Sequence, residues 1–124
     1  MVKIGQKHQG QRTLQHKADR LFSALVRKRA DNKCEYCGLQ KNTLHCHHGV
    51  VHRRYLNTRY LLDNCVCVCV GCHNYLGDFP QINTEFFIKR IGTGKMEQIQ
   101  NLARAINGKF DYTEVIKGLE DVRK

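Results

Sequence analysis

The sequence predicts an α+β fold: a small two-stranded core stapled by four cysteines, with a basic helix before it and helices after it. Three observations predict this. Apolar residues from Thr13 onward recur with a helical period. Two later stretches, "TLHCHH" and "NCVCVCV", alternate as strands do. Two Cys-x-x-Cys pairs, Cys34/Cys37 and Cys69/Cys72, bracket both stretches.

The elements follow in chain order. Residues 1–12 are polar and rich in Gly and Gln, and are expected to form a loose basic N-terminus. Residues 13–80 are expected to hold the N-terminal helix and the metal-bound core. Leu14, Leu21, Phe22, Leu25 and Val26 mark the helix's buried stripe, and "ADNK" ends it before Cys34. In "TLHCHH", period two puts His45 and His47 on one face, with Leu44, Cys46 and His48 on the other. "GVVHRRYLNTRYLLD" reads as an irregular connection rich in Arg and Tyr, and "NCVCVCV" as a half-buried strand. "GCHNYLGD" reads as a short helix stopped by Gly77 and Pro80. Residues 81–124 are expected to be a helical extension packed on the core. Thr84 is expected to cap "EFFIKRIG", a second helix to span about Lys95 to Ile106, and a third Thr113 to Val122. All this makes a single domain.

Composition narrows the function classes. No segment reaches the roughly 18 apolar residues of a membrane span, and "MVKIGQKHQGQRT" has no signal-peptide core. The expectation is an intracellular, cytoplasmic protein with reduced thiols. Residues 1–60 hold 13 Lys/Arg against three Asp/Glu, whereas residues 61–124 hold eight of each sign. The whole net charge of +10 therefore lies in the first half, which points to a polyanionic partner, nucleic acid first.

Seven cysteines are an odd number, against a complete set of intrachain disulfides. In such a chain two Cys-x-x-Cys pairs point first to zinc. Cys34, Cys37, Cys69 and Cys72 can close a tetrahedral structural site, worth on the order of 10 kcal/mol of folding free energy. Cys46, Cys65 and Cys67 compete as ligands or serve as small buried hydrophobes. The 31 residues between the pairs exceed a zinc-ribbon interval, so something is set inside the staple. That insert contains "LHCHHGVVHRR". His47 and His48 are adjacent on a strand, so their rings leave on opposite sides. His73 directly follows the last zinc cysteine, where the knuckle fixes it.

"HH" followed by "DNCVCVCVGCH", with Asn64 ahead of the second cysteine pair and His73 just after it, resembles the His-Asn-His (HNH) nucleases. The resemblance runs from Cys34 to about Gly77. It implies a ββα-metal (His-Me finger) core and metal-dependent hydrolysis of DNA. By position, His47 and His73 would be ligands of the catalytic cation, His48 the general base, and Asn64 a residue that holds the loop or the His48 ring. The cation implied is Mg²⁺ or Mn²⁺, with Ni²⁺ or Zn²⁺ also compatible with imidazole. Such chemistry needs a deprotonated water and a cation to neutralise the phosphorane, and a neutral imidazole can supply the base.

A longer likeness, over roughly residues 14–106, is to the lambdoid phage NinG/Rap recombination endonucleases. It rests on "KADRLFSALVRKRADNKCEYCG" and on "TRYLLDNCVCVCVGCHNYLGDFPQINTEFFIKRIG". It implies a phage or mobile-element setting and branched DNA such as Holliday junctions. This chain departs from that family in carrying His73 where Asn is usual.

DNA contacts are expected from Arg53, Arg54 and Arg59 in the connection and from Arg27, Lys28 and Arg29 at the end of the basic helix. Coordinated cutting of a junction would suit a homodimer built on the apolar stripes of the C-terminal helices. Two rival expectations are a non-catalytic zinc-ribbon nucleic-acid-binding module and a thiol sensor using Cys65 and Cys67. His45 and His52 match no position of the HNH pattern, and His8 and His16 fall outside the site.

Overall fold

The structure, a computed structural model, describes residues 2–105 and 110–123. Helix α1 (Val2–Arg29) leads into the first cysteine knuckle. Strand β1 (Leu44–His48), a connection carrying the one-turn helix α2 (Leu56–Arg59) and a 3-10 turn (Leu62–Asn64), and strand β2 (Cys65–Cys69) follow. Helices α3 (Val70–Asp78), α4 (Pro80–Ile91), α5 (Thr93–Arg104) and α6 (Tyr112–Arg123) complete the chain. The fold is α+β. No helix among the described residues is long and apolar enough to cross a membrane.

α1 differs from expectation at its start, since the helix begins at Val2 and runs through the segment expected to be loose. Its end is as the sequence suggests. The Asn32 N–H donates to the Arg27 carbonyl at 2.9 Å. Asp31 and Asn32 then take left-handed φ values of 55° and 57°, a conformation these residue types tolerate best after glycine.

The two strands pair antiparallel, with His45 opposite Val68, Cys46 opposite Cys67, His47 opposite Val66 and His48 opposite Cys65. β2 is buried on both faces, not half-buried. Cys65 and Cys67 pack with Phe22, Leu25, Val26 and Leu119 of α1 and α6. Val66 and Val68 pack with Leu76, Phe87 and Met96 of α3, α4 and α5. β2 lies between two helical layers while β1 stays half-exposed, which alternation alone cannot reveal.

The knuckle Cys34–Cys37 docks on the outer edge of β2. The Glu35 N–H donates to the Cys67 carbonyl at 2.7 Å, and the Cys67 N–H donates back to the Glu35 carboxylate at 2.9 Å. Arg29 and Arg90 close on the same carboxylate.

α4 begins with Pro80 at its first position, so Pro80 opens this helix and Thr84 lies inside it. This is the position where a missing N–H costs nothing. α5 ends at Arg104, where Asn57 Nδ2 donates to the Leu102 and Ala105 carbonyls; Ile106 lies outside the described residues. α6 lies along α1 and buries Ile116 and Leu119. α1 thus covers part of the apolar stripe of α6, while Val122 at its end stays exposed.

Candidate metal centre

β1, β2 and α3 position the cysteines and the histidines together. Cys69 ends β2 and caps α3, its sulfur accepting from the Cys72 N–H at 3.5 Å. Cys34 Sγ likewise accepts from the Cys37 N–H at 3.4 Å. The four sulfurs of Cys34, Cys37, Cys69 and Cys72 all lie within 4.8 Å of one another. That set is geometrically suited to a structural metal ion, and sulfur chemistry with tetrahedral closure suits Zn²⁺. Burial opposes ionisation of Cys34, but N–H groups of Cys37, Cys69 and Tyr36 prevail and lower its thiol to about 6. Burial, then the neighbouring cysteine sulfurs, push Cys72 up. A first thiolate discourages further ones until a dication is shared among them.

His45 and His47 extend from the sheet face that carries Val66 and Val68, towards α3 and α4. The ring centroids of His47 and His73 are 5.1 Å apart. The two residues expected from the sequence to lie together are neighbours in the structure. His47 Nε2 is 2.8 Å from Asn83 Oδ1, and Asn83 Nδ2 donates to the Gly49 carbonyl at 2.8 Å. The Asn83 oxygen is thus the acceptor, so His47 carries its proton on Nε2 and its lone pair on Nδ1. Burial lowers the pKa of His47 against the Asn83 bond; burial, then its histidine neighbours, lower that of His73. Both imidazoles are held towards the neutral, ligating form.

His45 also belongs to this group. Its Nδ1 is 2.9 Å from His73 Nδ1, and the two rings meet edge to face at 5.1 Å. The signal was present in the sequence, because His45 and His47 share a strand face. Asn83 was not foreseen, and nothing in the sequence around it marks it as a partner of residue 47.

His48 lies on the opposite face, stacked on Phe22 with centroids 5.9 Å apart. Its Nε2 is 2.9 Å from the Arg59 carbonyl, which can only accept. Nε2 is therefore protonated and Nδ1 is the basic nitrogen. Burial holds its pKa at about 4; the charges of Arg59 and Arg53 add to this and the carbonyl bond opposes it. His48 lines a cleft of about 400 Å³ with His45, His73, Cys46, Asp19 and Arg53.

Asn64 is fully buried and uses all four of its hydrogen-bonding positions. Oδ1 accepts from Val50 N at 3.1 Å and Val51 N at 2.8 Å, while Nδ2 donates to Val51 O at 3.0 Å and Thr58 O at 3.1 Å. Of the two expected uses the structure realises one: Asn64 fixes the connection and makes no bond to the His48 ring.

The expected cationic contacts divide. Arg59 is buried and makes a bidentate pair with Asp19 at 3.0 and 2.7 Å, and Asp19 also accepts from the Tyr60 hydroxyl. Its guanidinium thus joins α1 to the connection, which corrects the expectation of an open phosphate contact. Arg29 bonds the Leu62 and Cys65 carbonyls, and Arg27 bonds Ser23 Oγ. Lys28, Arg53 and Arg54 are exposed, as are His16 and His52; the side chain of His8 lies outside those described.

Among the remaining cysteines, Cys46 and Cys65 form a disulfide, and Cys67 is a buried free thiol. Cys65 is thus paired across the strands with Cys46, not with Cys67. Comparison with protein-family models, curated proteins and solved structures finds no match to this chain.

Proposed function

We propose that this chain is a divalent-cation-dependent endonuclease that hydrolyses DNA phosphodiester bonds. The observation that carries this reading is the meeting of His47 and His73 at 5.1 Å, beside a four-cysteine staple. Asn64 supports it by fixing the connection between the strands, and His48 by facing the adjoining cleft. His47 and His73 would hold the cation, which when bound would polarise the scissile phosphate and offset charge on the departing oxygen.

His48 is neutral throughout the physiological range, because its pKa is about 4. It would take the proton of the attacking water at Nδ1, and its Nε2–H bond to the Arg59 carbonyl would steady the resulting imidazolium. Arg53, on the rim of the same cleft, would pair with a backbone phosphate. The products would carry 5′-phosphate and 3′-hydroxyl ends. Branched DNA in phage recombination is the substrate proposed, with one cut from each member of a homodimer.

A specific observation favours a second reading. His48 is stacked beneath α1 and engaged by a carbonyl, as a structural histidine would be. The chain would then be a non-catalytic zinc module that binds nucleic acid. Incubating the zinc-loaded protein with supercoiled plasmid, linear duplex and a four-way junction separates the two readings. Each substrate is offered Mg²⁺, Mn²⁺, Ni²⁺, Zn²⁺ or EDTA. Cation-dependent scission, fastest on the junction, is expected; salt-sensitive binding with no scission under any cation would establish the module instead.

A further inference from the structure

We propose that His45 is a third protein ligand of the cation site, making it a three-imidazole centre that prefers a borderline transition ion such as Ni²⁺, Co²⁺ or Zn²⁺ to Mg²⁺. This rests on the proposed role of His47 and His73 and specifies what their site selects.

Three features of the structure carry it. His45 and His47 are two positions apart on β1, opposite Val68 and Val66, so both rings leave the sheet on the side of α3. His73, one residue beyond Cys72, meets both of them at ring distances of 5.1 Å. The Nδ1 atoms of His45 and His73 are 2.9 Å apart. Two nitrogens bound cis to one octahedral ion at about 2.1 Å would be about 3.0 Å apart. The pair already has that spacing, with a shared proton where an ion would be. Ion binding moves that proton to a far ring nitrogen, so neutral rings stay neutral.

His47 is prepared differently. The Asn83 bond keeps its proton on Nε2 and leaves Nδ1 for the ion, the arrangement by which outer partners orient metal-bound imidazoles. His47 stands farther from the other two than the cysteine sulfurs do from one another, its ring centroid 5.1 Å from that of His73. Three imidazoles favour borderline ions, whereas Mg²⁺ prefers oxygen and keeps its waters.

The test is calorimetric titration of tag-free, zinc-loaded protein with Ni²⁺, and separately with Mg²⁺, with zinc content measured before and after. Wild type, His45→Gln, His47→Ala, His73→Ala and, as a control on the exposed connection, His52→Ala are compared; only variants that keep their zinc are scored. In wild type, Ni²⁺ should bind at one site and Mg²⁺ should not compete for it. His45→Gln should weaken Ni²⁺ at least tenfold, as His47→Ala and His73→Ala do, and His52→Ala should leave it unchanged. A contact shift of the wild-type His45 ring N–H by bound Ni²⁺, which is transmitted only through a bond to the ion, should accompany this and keeps the test decisive if His45→Gln loses zinc. Wild-type affinity in His45→Gln, or a His45 ring N–H with no contact shift when Ni²⁺ is bound, would overturn the proposal and leave the His47/His73 reading standing. No second ion in wild type would remove both.

Discussion

Replacing Asn64 by Ala removes four hydrogen bonds from a fully buried position. Each contributes about 1 kcal/mol net, and a group left buried without a partner costs about 1–3 kcal/mol. The Thr58 carbonyl, on a buried residue, is the partner least able to find water. The four bonds together give an expected loss of about 4 kcal/mol, a large share of the 5–15 kcal/mol that holds a typical domain. Asn64→Asp should fare little better. It keeps the Val50 and Val51 contacts but sets oxygen against the Val51 and Thr58 carbonyls. Denaturant unfolding of zinc-loaded wild type and both variants measures the loss. Hydrogen exchange should show the Val50 and Val51 amides opening in Asn64→Ala. A loss below about 1 kcal/mol, with those amides still protected, would refute the role of Asn64 as the staple of the connection.

Other predictions concern packing, the staple and pH. A Cβ on Gly49 would stand 1.9 Å from Cε2 of the fully buried Phe87, so Gly49→Ala should cost about 1–3 kcal/mol in the same assay; an unchanged midpoint would show that Phe87 has room to move. Stripping zinc, or Cys37→Ser, should remove on the order of 10 kcal/mol and abolish the cooperative transition, read by circular dichroism during thermal unfolding. His48 has a folded pKa of about 4 against an ordinary 6.5. Between those values the unfolded chain binds more protons, so stability is whole above 6.5 and falls as pH drops towards 4. Allowing for partial exposure, this amounts to about 1–2 kcal/mol. His48→Phe should flatten that part of the pH profile relative to wild type, and parallel profiles would contradict the assignment.

Local features were legible in the sequence. The parity of "HCHH" placed His45 and His47 on one face. The two knuckles announced a four-sulfur cluster that the fold assembles. Asn64 and His73 drew notice by their place around the second knuckle. What the sequence concealed depends on residues far apart along the chain. Asp19 and Arg59 pair across 40 positions, which turned an expected surface arginine into a buried tie. Asn83 reaches back 36 positions to His47. The strand β2 alternates Val and Cys, yet both residue types are apolar enough to be buried on either face, so the second helical layer over it left no mark. His45 matches no position of the HNH pattern that the sequence resembles, yet its strand parity already places it beside His47.

The central claim is that His48 takes a proton from water in a cation-dependent cut of DNA. The most direct measurement compares wild type and His48→Ala, both zinc-loaded, on a labelled four-way junction with Mn²⁺ or Ni²⁺, recording binding and strand scission in the same samples. The account predicts equal zinc content, binding within about threefold (under 1 kcal/mol), and loss of scission by roughly 10²-fold or more. Scission by His48→Ala at the wild-type rate, or none by wild type under any cation, would contradict it.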